Sequence, residues 1–335
     1  MKTSGIIGTA KNTGKTTTLS AILKKEYGNK VAVTGIGYDG EEIDNITLLP
    51  KPRLFFDRGI IVATSEKCIL QSEVGYKIIS ETDILTPLGK VLIVVITKPG
   101  LLVIAGPNKA SELKILISIL SSLNIQKLFV DGSLNRLSPM FLLDTLIFTT
   151  GGSRSTNIEQ LVSEMQTAEI VFYYPKCTIN IEKSSVITIF NQNDSYKLKM
   201  CSIFDEEDSE SLLTELPDNF SKIYFPAFIS AKGLEFLINN ISNKGIEFIF
   251  HSPIQLLLST EFEFLQNLIN KFEASGNSIS YIYKPVLEAI TINPFYPILE
   301  GFNYSAGFID KKLFFEKMSE KLRTPVYNVK EDFTL

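Results

Sequence analysis

A lysine and several threonines near the N-terminus have the types and spacing of a phosphate-binding loop. The run Gly8-Thr-Ala-Lys-Asn-Thr-Gly-Lys-Thr16 follows the apolar pair Ile6 and Ile7 and precedes apolar residues at helical spacing. The pattern predicts a strand, a glycine-containing loop and a helix. Backbone N–H groups at a helix N-terminus have no intrahelical partner, and the helix dipole adds positive charge, so this arrangement is suited to binding a phosphate.

The individual loop residues have predicted roles in holding ATP. Lys15 can reach the β- and γ-phosphates, and the Thr16 hydroxyl can ligate Mg²⁺. The predicted nucleotide-binding residues are Thr9, Lys11, Asn12, Thr13, Gly14, Lys15, Thr16 and Thr17. The consensus G-x-x-x-x-G-K-[ST] is not fully matched, because Thr9 stands at the first glycine position with Gly8 before it. The alternative is a Gly/Thr-rich turn with a solvated lysine.

Two aspartates are predicted to complete the site. Asp131 ends the apolar run 127–131, which is typical of a strand whose terminal carboxylate orients a magnesium-bound water. Asp39 follows the predicted strand 30–36, and ligands of such sheets bind beyond the carboxyl ends of strands. An acidic turn is the alternative for Asp39, and the alternates to it as a ligand are Glu41, Glu42 and Asp44. The predicted catalytic residues are Lys15, Asp39 and Asp131, and the predicted metal ligands are Thr16, Asp39 and Asp131.

The composition argues against several classes of protein. The net charge of −4, without a basic run, disfavours a nucleic-acid partner. Three cysteines far apart and the single histidine, His251, leave little material for a thiolate or histidine metal centre or a Ser-His-Asp triad. No apolar run is long enough to span a membrane, and the loop strand begins at the N-terminus, so we expect a cytoplasmic protein without membrane association.

The order of apolar segments predicts an α/β protein built as a doubly wound P-loop NTPase sheet. Residues 1–170 are the predicted nucleotide-binding domain, and short apolar runs over 46–106 predict a β-rich insertion or sheet extension within it. Residues 171–335 are predicted to form a C-terminal α/β domain without a phosphate loop of its own. Within that domain, the acidic run 205–208 is interpreted as a solvated loop.

Two further loops bear on nucleotide choice. The run Thr97-Lys-Pro-Gly100 lacks the aspartate of the Asn/Thr-Lys-x-Asp motif that reads guanine, so ATP is expected rather than GTP. The run Gly151-Gly-Ser-Arg-Ser155 follows a predicted strand and has the N–H density of an anion site or of a loop beside the base. A tight turn with a helix cap is the alternative.

The phosphate loop itself resembles two known groups of P-loop proteins. Gly8-Thr9, followed after four residues by Gly14-Lys15-Thr16, looks like the loop of dethiobiotin synthetase and its relatives. Residues 11–17 are similar to the loop of the molybdopterin-guanine dinucleotide accessory proteins. The resemblance implies a P-loop class in which many members dimerise around nucleotide, so a homodimer is one expectation.

Short phrases spread over the chain carry a wider resemblance. They are GYDGE at 37–41, LPKPR at 49–53, GIIVAT at 59–64, TPLG at 86–89, AGP at 105–107, VDGSLNR at 130–136, TINP at 291–294 and TPV at 324–326. Together they resemble the smaller reactivase subunit of lysine 5,6-aminomutase and the accessory proteins encoded with ornithine aminomutases. The resemblance implies an ATP-binding helper of a cobalamin-dependent aminomutase, acting with a partner ATPase subunit to exchange damaged cobalamin for intact cofactor.

Two other functions are compatible with the same residues. One is an ATP-dependent small-molecule ligase or kinase like dethiobiotin synthetase, with the substrate bound between the two halves. The other is a nucleotide-binding scaffold that does not hydrolyse ATP. Substrate-dependent formation of ADP by the isolated protein would distinguish the ligase from both the helper and the scaffold.

Overall fold

The computed structural model describes residues 1–26, 30–37, 54–132, 138–179, 181, 184–191, 194–217, 219–241, 245–300 and 303–329. These residues form an α/β protein with a large mixed sheet. The chain divides into two compact units. Unit 1 comprises Met1–Val162 and Val286–Leu335, and unit 2 comprises Ser163–Pro285.

Strands and helices alternate over most of the described chain. The strands are β1 (Lys2–Gly8), β2 (Val31–Gly35), β3 (Leu54–Phe56), β4 (Ile61–Ser65), β5 (Gly75–Thr86), β6 (Gly89–Lys98), β7 (Gly100–Leu102), β8 (Lys127–Gly132), β9 (Thr145–Gly151), β10 (Thr188–Phe190), β11 (Ser195–Lys197), β12 (Lys222–Phe225), β13 (Glu247–Phe250), β14 (Ser278–Tyr281), β15 (Val286–Asn293), β16 (Phe295–Glu300), β17 (Asn303–Phe308) and β18 (Val326–Asn328). The helices are α1 (Lys15–Lys25), α2 (Glu66–Leu70), α3 (Ala110–Ser122), α4 (Ile158–Tyr173), α5 (Glu206–Thr214), α6 (Ala231–Asn240), α7 (Pro253–Ser259), α8 (Phe262–Ser275) and α9 (Lys311–Lys321). None of the described helices has the length and apolar character needed to cross a membrane.

The large sheet of unit 1 has nine strands in the order β18-β15-β9-β1-β8-β2-β4-β6-β5. The strands from β18 to β4 are parallel; at one edge β6 pairs antiparallel with β4, and β5 pairs antiparallel with β6. Strand β1 lies inside the sheet, between β9 and β8. Its residues Ile6 and Ile7 are fully buried, as expected for a parallel strand that is covered on both faces.

The region predicted as a β-rich insertion is an extension of this sheet. Its described residues, 54–106, form strands β3 to β7 and the short helix α2. Strands β4, β6 and β5 continue the large sheet beyond β2, whereas β3 and β7 pair with each other. Of the two predicted alternatives, a separate β-rich insertion and a sheet extension, the described residues form the sheet extension. Residues 46–53 lie outside the described chain.

The division into units differs from the predicted one after residue 285. We predicted one C-terminal domain over 171–335, but β15 and β18 return to the large sheet of unit 1, where β15 pairs with β9. The predicted boundary at residue 170 falls inside α4. The apolar pattern of β15 predicts a buried strand, but it does not identify the strand with which it pairs, because that partner lies far away in the chain.

Unit 2 has a smaller sheet of its own, in the order β11-β10-β12-β13-β14. Strands β12, β13 and β14 are parallel, and β10 is antiparallel to β12. Its core is aromatic: the ring of Phe225 stacks on Phe250 at a centroid distance of 5.6 Å, and Phe248 meets Phe272 edge to face at 4.7 Å. Helix α6 lies between β12 and β13 in the chain, and α7 and α8 lie between β13 and β14.

Candidate functional site

The predicted site residues of unit 1 gather at one edge of the large sheet. Strands β9, β1 and β8 are adjacent and parallel, so their carboxyl ends lie at the same edge. In this register Gly8 of β1 is opposite Thr149 of β9, and Ile6 of β1 is opposite Asp131 of β8. Strand β15 ends at the same edge with Asn293, beside β9. Ligands of such sheets bind beyond this edge.

The helix that leaves β1 has an open N-terminus. Its cap residue is Gly14, with φ 105°, and its first backbone hydrogen bond runs from the N–H of Thr18 to the carbonyl of Gly14 at 2.8 Å. No acidic side chain lies in the first turn, and no side chain of the described chain caps it. The first turn of α1 thus lacks a side-chain acceptor for its N–H groups, which lie in the field of the helix dipole.

The stem of Lys15 lies across the end of β1. A Cβ atom built at Gly8 would lie 3.0 Å from Cγ of Lys15 and 2.6 Å from Oγ1 of Thr13. Gly8 thus provides the close approach that the consensus assigns to its first glycine, one position earlier than the consensus requires. Lys15 and Thr16 are half-buried, as is Asn12, whereas Lys11 and Thr17 are exposed.

Two of the predicted nucleotide-binding threonines hold the loop instead of pointing to solvent. Thr9 is buried, and its N–H donates to the carbonyl of Thr149 at 3.0 Å. Thr13 is also buried, its hydroxyl lying 2.9 Å from the carbonyl of Ala10 and 3.1 Å from the hydroxyl of Thr149. The hydroxyl of Thr9 donates to the hydroxyl of Thr150 at 3.2 Å, so both side chains attach the loop to β9.

Of the predicted carboxylate ligands and their alternates, only Asp131 lies among the described residues. Asp131 is half-buried at the end of β8, its Oδ1 atom is shielded from solvent, and its carbonyl accepts the N–H of Ile36 at 2.8 Å. Asp39 and its alternates Glu41, Glu42 and Asp44 lie outside the described residues.

A magnesium site made by protein side chains alone does not appear in the described chain, where no group of three or more His, Cys, Asp or Glu residues could hold a metal ion. Magnesium bound with nucleotide usually takes few protein ligands, because phosphate oxygens and waters complete its coordination. The hydroxyl of Thr16 and the carboxylate of Asp131 are oxygen donors of the kind that Mg²⁺ prefers. Thr16 and Asp131 thus have the chemistry of ligands for a magnesium ion that arrives with a phosphate.

Asn293 is a residue of this site that the sequence did not single out. Its Nδ2 donates to the carbonyl of Asn12 at 3.1 Å, and its Oδ1 accepts the N–H of Phe295 at 3.3 Å. Asn293 is the third residue of the run TINP at 291–294. An Asn-Pro pair after an apolar run indicates the end of a strand. The pattern gives no indication that this end lies beside a loop about 280 residues earlier.

The loop after β9 forms a tight turn. The N–H of Arg154 donates to the carbonyl of Gly151 at 2.8 Å, and the N–H of Gly152 donates to the carbonyl of Asn293 at 2.9 Å. Two amides of this loop are therefore engaged within the protein and do not point to a ligand. Of the two predicted alternatives, the tight turn describes the observed hydrogen bonds.

Comparison with known proteins adds no relative. No family model matches the chain. No curated protein and no solved structure matches it either.

Proposed function

We propose that this chain is a P-loop protein that binds Mg·ATP at the N-terminus of α1. The observation that carries the proposal is the open first turn of α1, entered through Gly14 with the stem of Lys15 lying over the end of β1. The parallel neighbours β8 and β9 on the two sides of β1 support it, because they place Asp131 at the same sheet edge. A Gly-Lys-Thr run in this context is the pattern of a phosphate loop.

In the proposed complex, the N–H groups of the first turn of α1 and the ammonium group of Lys15 bind the β- and γ-phosphates. Thr16 and Asp131 hold the magnesium ion, directly or through water, and Asp39 remains a predicted third ligand. The ion supplies positive charge against the phosphates when bound. ATP is proposed rather than GTP because no guanine-reading motif is present in the sequence.

We further propose that ATP use serves a helper function for a cobalamin-dependent aminomutase. This step depends on the resemblance of the chain to reactivase subunits and accessory proteins. The partners would be the aminomutase and an ATPase subunit in the cytoplasm, and unit 2, which has no phosphate loop, would be available to contact them. Loss of the γ-phosphate would release the loop at residues 37–45, as in other P-loop switches. Residues 38–45 of that loop lie outside the described residues.

The first test compares Mg·ATP binding by the wild type, Lys15→Ala and Lys24→Ala in isothermal titration calorimetry. Lys24 is an exposed lysine of the same helix, away from its N-terminus, so its replacement is the matched control. Lys15→Ala is expected to weaken binding by about 10- to 100-fold, because a hydrogen bond to a charged group contributes about 1.5–3 kcal/mol. Lys24→Ala is expected to leave it unchanged. Absence of binding by the wild type, or equal binding by Lys15→Ala, would contradict the proposal.

Measurement of ATP turnover then distinguishes the helper, the ligase or kinase, and the scaffold. ADP formation that requires an aminomutase and its ATPase subunit supports the helper function. ADP formation by the isolated protein with a small-molecule substrate supports the ligase or kinase. ATP that is bound but remains intact with all partners present supports the scaffold.

A further inference from the structure

We propose that Asn293 is a positioning residue of the phosphate loop. Its side-chain amide fixes the carbonyl of Asn12 and thereby the path of the chain into Gly14 and α1. This inference rests on the proposed function of the loop, and it assigns part of that function to a strand at the opposite end of the sequence.

The first observation is that Asn293 uses both ends of its amide. Nδ2 donates to the carbonyl of Asn12 at 3.1 Å, while Oδ1 accepts the N–H of Phe295 at 3.3 Å. A carbonyl can only accept and an N–H can only donate, so only this orientation of the amide satisfies both partners. Alanine would lose both bonds, and aspartate would keep only the bond to Phe295.

The second observation is the backbone that this bond holds. Asn12 has φ 62°, in the left-handed region that residues other than glycine adopt uncommonly. A Cβ atom built at Gly14 would lie 3.1 Å from Cβ of Asn293, so the same side chain also limits the path of the loop at the cap of α1. Asn293 therefore constrains the loop at Asn12 and at Gly14, immediately before the amides that are proposed to bind phosphate.

The third observation is that Asn293 is itself held firmly. Its carbonyl accepts the N–H of Gly152 at 2.9 Å, and a Cβ built at Gly151 would lie 1.9 Å from the same oxygen. Two residues earlier, the hydroxyl of Thr291 lies 2.9 Å from the hydroxyl of Thr18, and both are buried. The end of β15 is thus fixed to β9 and to α1, and a side chain on it can act as a rigid support for the loop.

The test compares Mg·ATP binding by the wild type, Asn293→Ala and Asn293→Asp, with thermal unfolding without nucleotide as the measure of fold. If support of the loop is the role of Asn293, Asn293→Asp is expected to weaken binding by about tenfold or more. The carboxylate cannot donate to the Asn12 carbonyl and adds negative charge near the proposed phosphate position. Asn293→Ala is expected to weaken binding by about fivefold. Asn293→Ala removes the bond to Asn12 without adding charge, so binding by this variant as tight as that of the wild type would overturn the inference.

A second variant tests whether the loss of Mg·ATP affinity in Asn293→Ala depends on the backbone conformation of residue 12. Glycine adopts positive φ without the steric cost that other residues bear. Asn12→Gly introduced into Asn293→Ala is therefore expected to restore about half or more of the lost affinity on a logarithmic scale. Failure of this rescue would contradict positioning through Asn12.

The outcomes separate this inference from the proposed function. Normal binding by both Asn293 variants, with weak binding by Lys15→Ala, overturns the role of Asn293 alone. Absence of Mg·ATP binding by the wild type overturns both.

Discussion

At the scale of single residues, Gly14 combines an unusual backbone with a crowded neighbourhood. Its φ of 105° lies outside the range that side-chain-bearing residues favour, and Asn293 lies close to where its Cβ would be. Gly59 provides a natural comparison, since it has φ 94° but no atom within 4 Å of a Cβ built on it. A substitution at Gly59 would introduce backbone strain alone, whereas a substitution at Gly14 would introduce backbone strain and a steric contact at the proposed site.

Gly14→Ala and Gly59→Ala are each expected to lower the free energy of unfolding by about 1–2 kcal/mol, the cost of placing an L-residue at positive φ. Only Gly14→Ala is expected to weaken Mg·ATP binding, by about tenfold, because its methyl group displaces the loop against Asn293. Urea denaturation measures the change in the free energy of unfolding, and calorimetric titration measures the change in Mg·ATP affinity. Equal loss of affinity in both variants would show that the effect is one of general stability.

At the scale of elements, α1 is held against β15 by a pair of buried hydroxyls. Oγ1 of Thr18 and Oγ1 of Thr291 are 2.9 Å apart, and Oγ1 of Thr291 also lies 3.4 Å from the carbonyl of Phe148. A buried hydroxyl that loses its partner retains the cost of its desolvation. This contact joins the helix that follows the loop to the strand that carries Asn293.

Thr18→Val is expected to lower the free energy of unfolding by about 1–2 kcal/mol, since it leaves Thr291 with a weaker set of partners. The double variant Thr18→Val/Thr291→Val is expected to cost less than the sum of the two single variants, because the hydroxyls interact. Urea denaturation of the wild type and the three variants gives this coupling directly. Strict additivity would show that the two hydroxyls contribute independently.

The acidic run 205–208 shows how an element can be misassigned. It was interpreted as a solvated loop, and that interpretation was wrong: Asp205 caps α5 by accepting the N–H of Asp208 at 3.0 Å, and Glu206 begins the helix. Acidic side chains are favoured in the first turn of a helix by its dipole. The position of these acidic residues at the start of a helix, and not their charge density, therefore determines the structure of the run.

At the scale of the whole molecule, the chain leaves unit 1 at Val162 and returns to it at Val286. The last segment supplies β15, which is an interior strand of the large sheet, and β18 at its edge. Residues Ala289 and Ile290 of β15 are fully buried. The C-terminal segment is therefore part of the core of unit 1 and not of a separate domain.

A chain that ends at residue 285 is accordingly expected to lose the cooperative unfolding of unit 1 and to be recovered mainly in the insoluble fraction, because strand β9 would lose its neighbour and expose an apolar edge. The control ends at Val329 and removes only residues beyond the described chain. It is expected to unfold like the wild type. Circular dichroism during thermal unfolding and the soluble yield check the result, and a stable chain ending at 285 would contradict the assignment of β15.

Much of the local structure and part of the site could be read from the sequence. The apolar runs and glycines around β1 predicted a strand, a loop and a helix at the observed places, and β8 with Asp131 was predicted in the same way. These are short-range features, determined by the spacing of apolar residues and by the backbone freedom of glycine.

Only the tertiary structure placed Asn293 against Asn12, turned Thr9 and Thr13 toward β9, and returned β15 to the first sheet. These contacts join segments separated by more than 100 residues. A strand's own sequence shows which of its faces are buried, but several partners can cover the same faces equally well. The choice among partners depends on the packing of the whole sheet, so the sequence determined the strand, loop and helix at residues 2–25, and the tertiary structure determined what supports that loop.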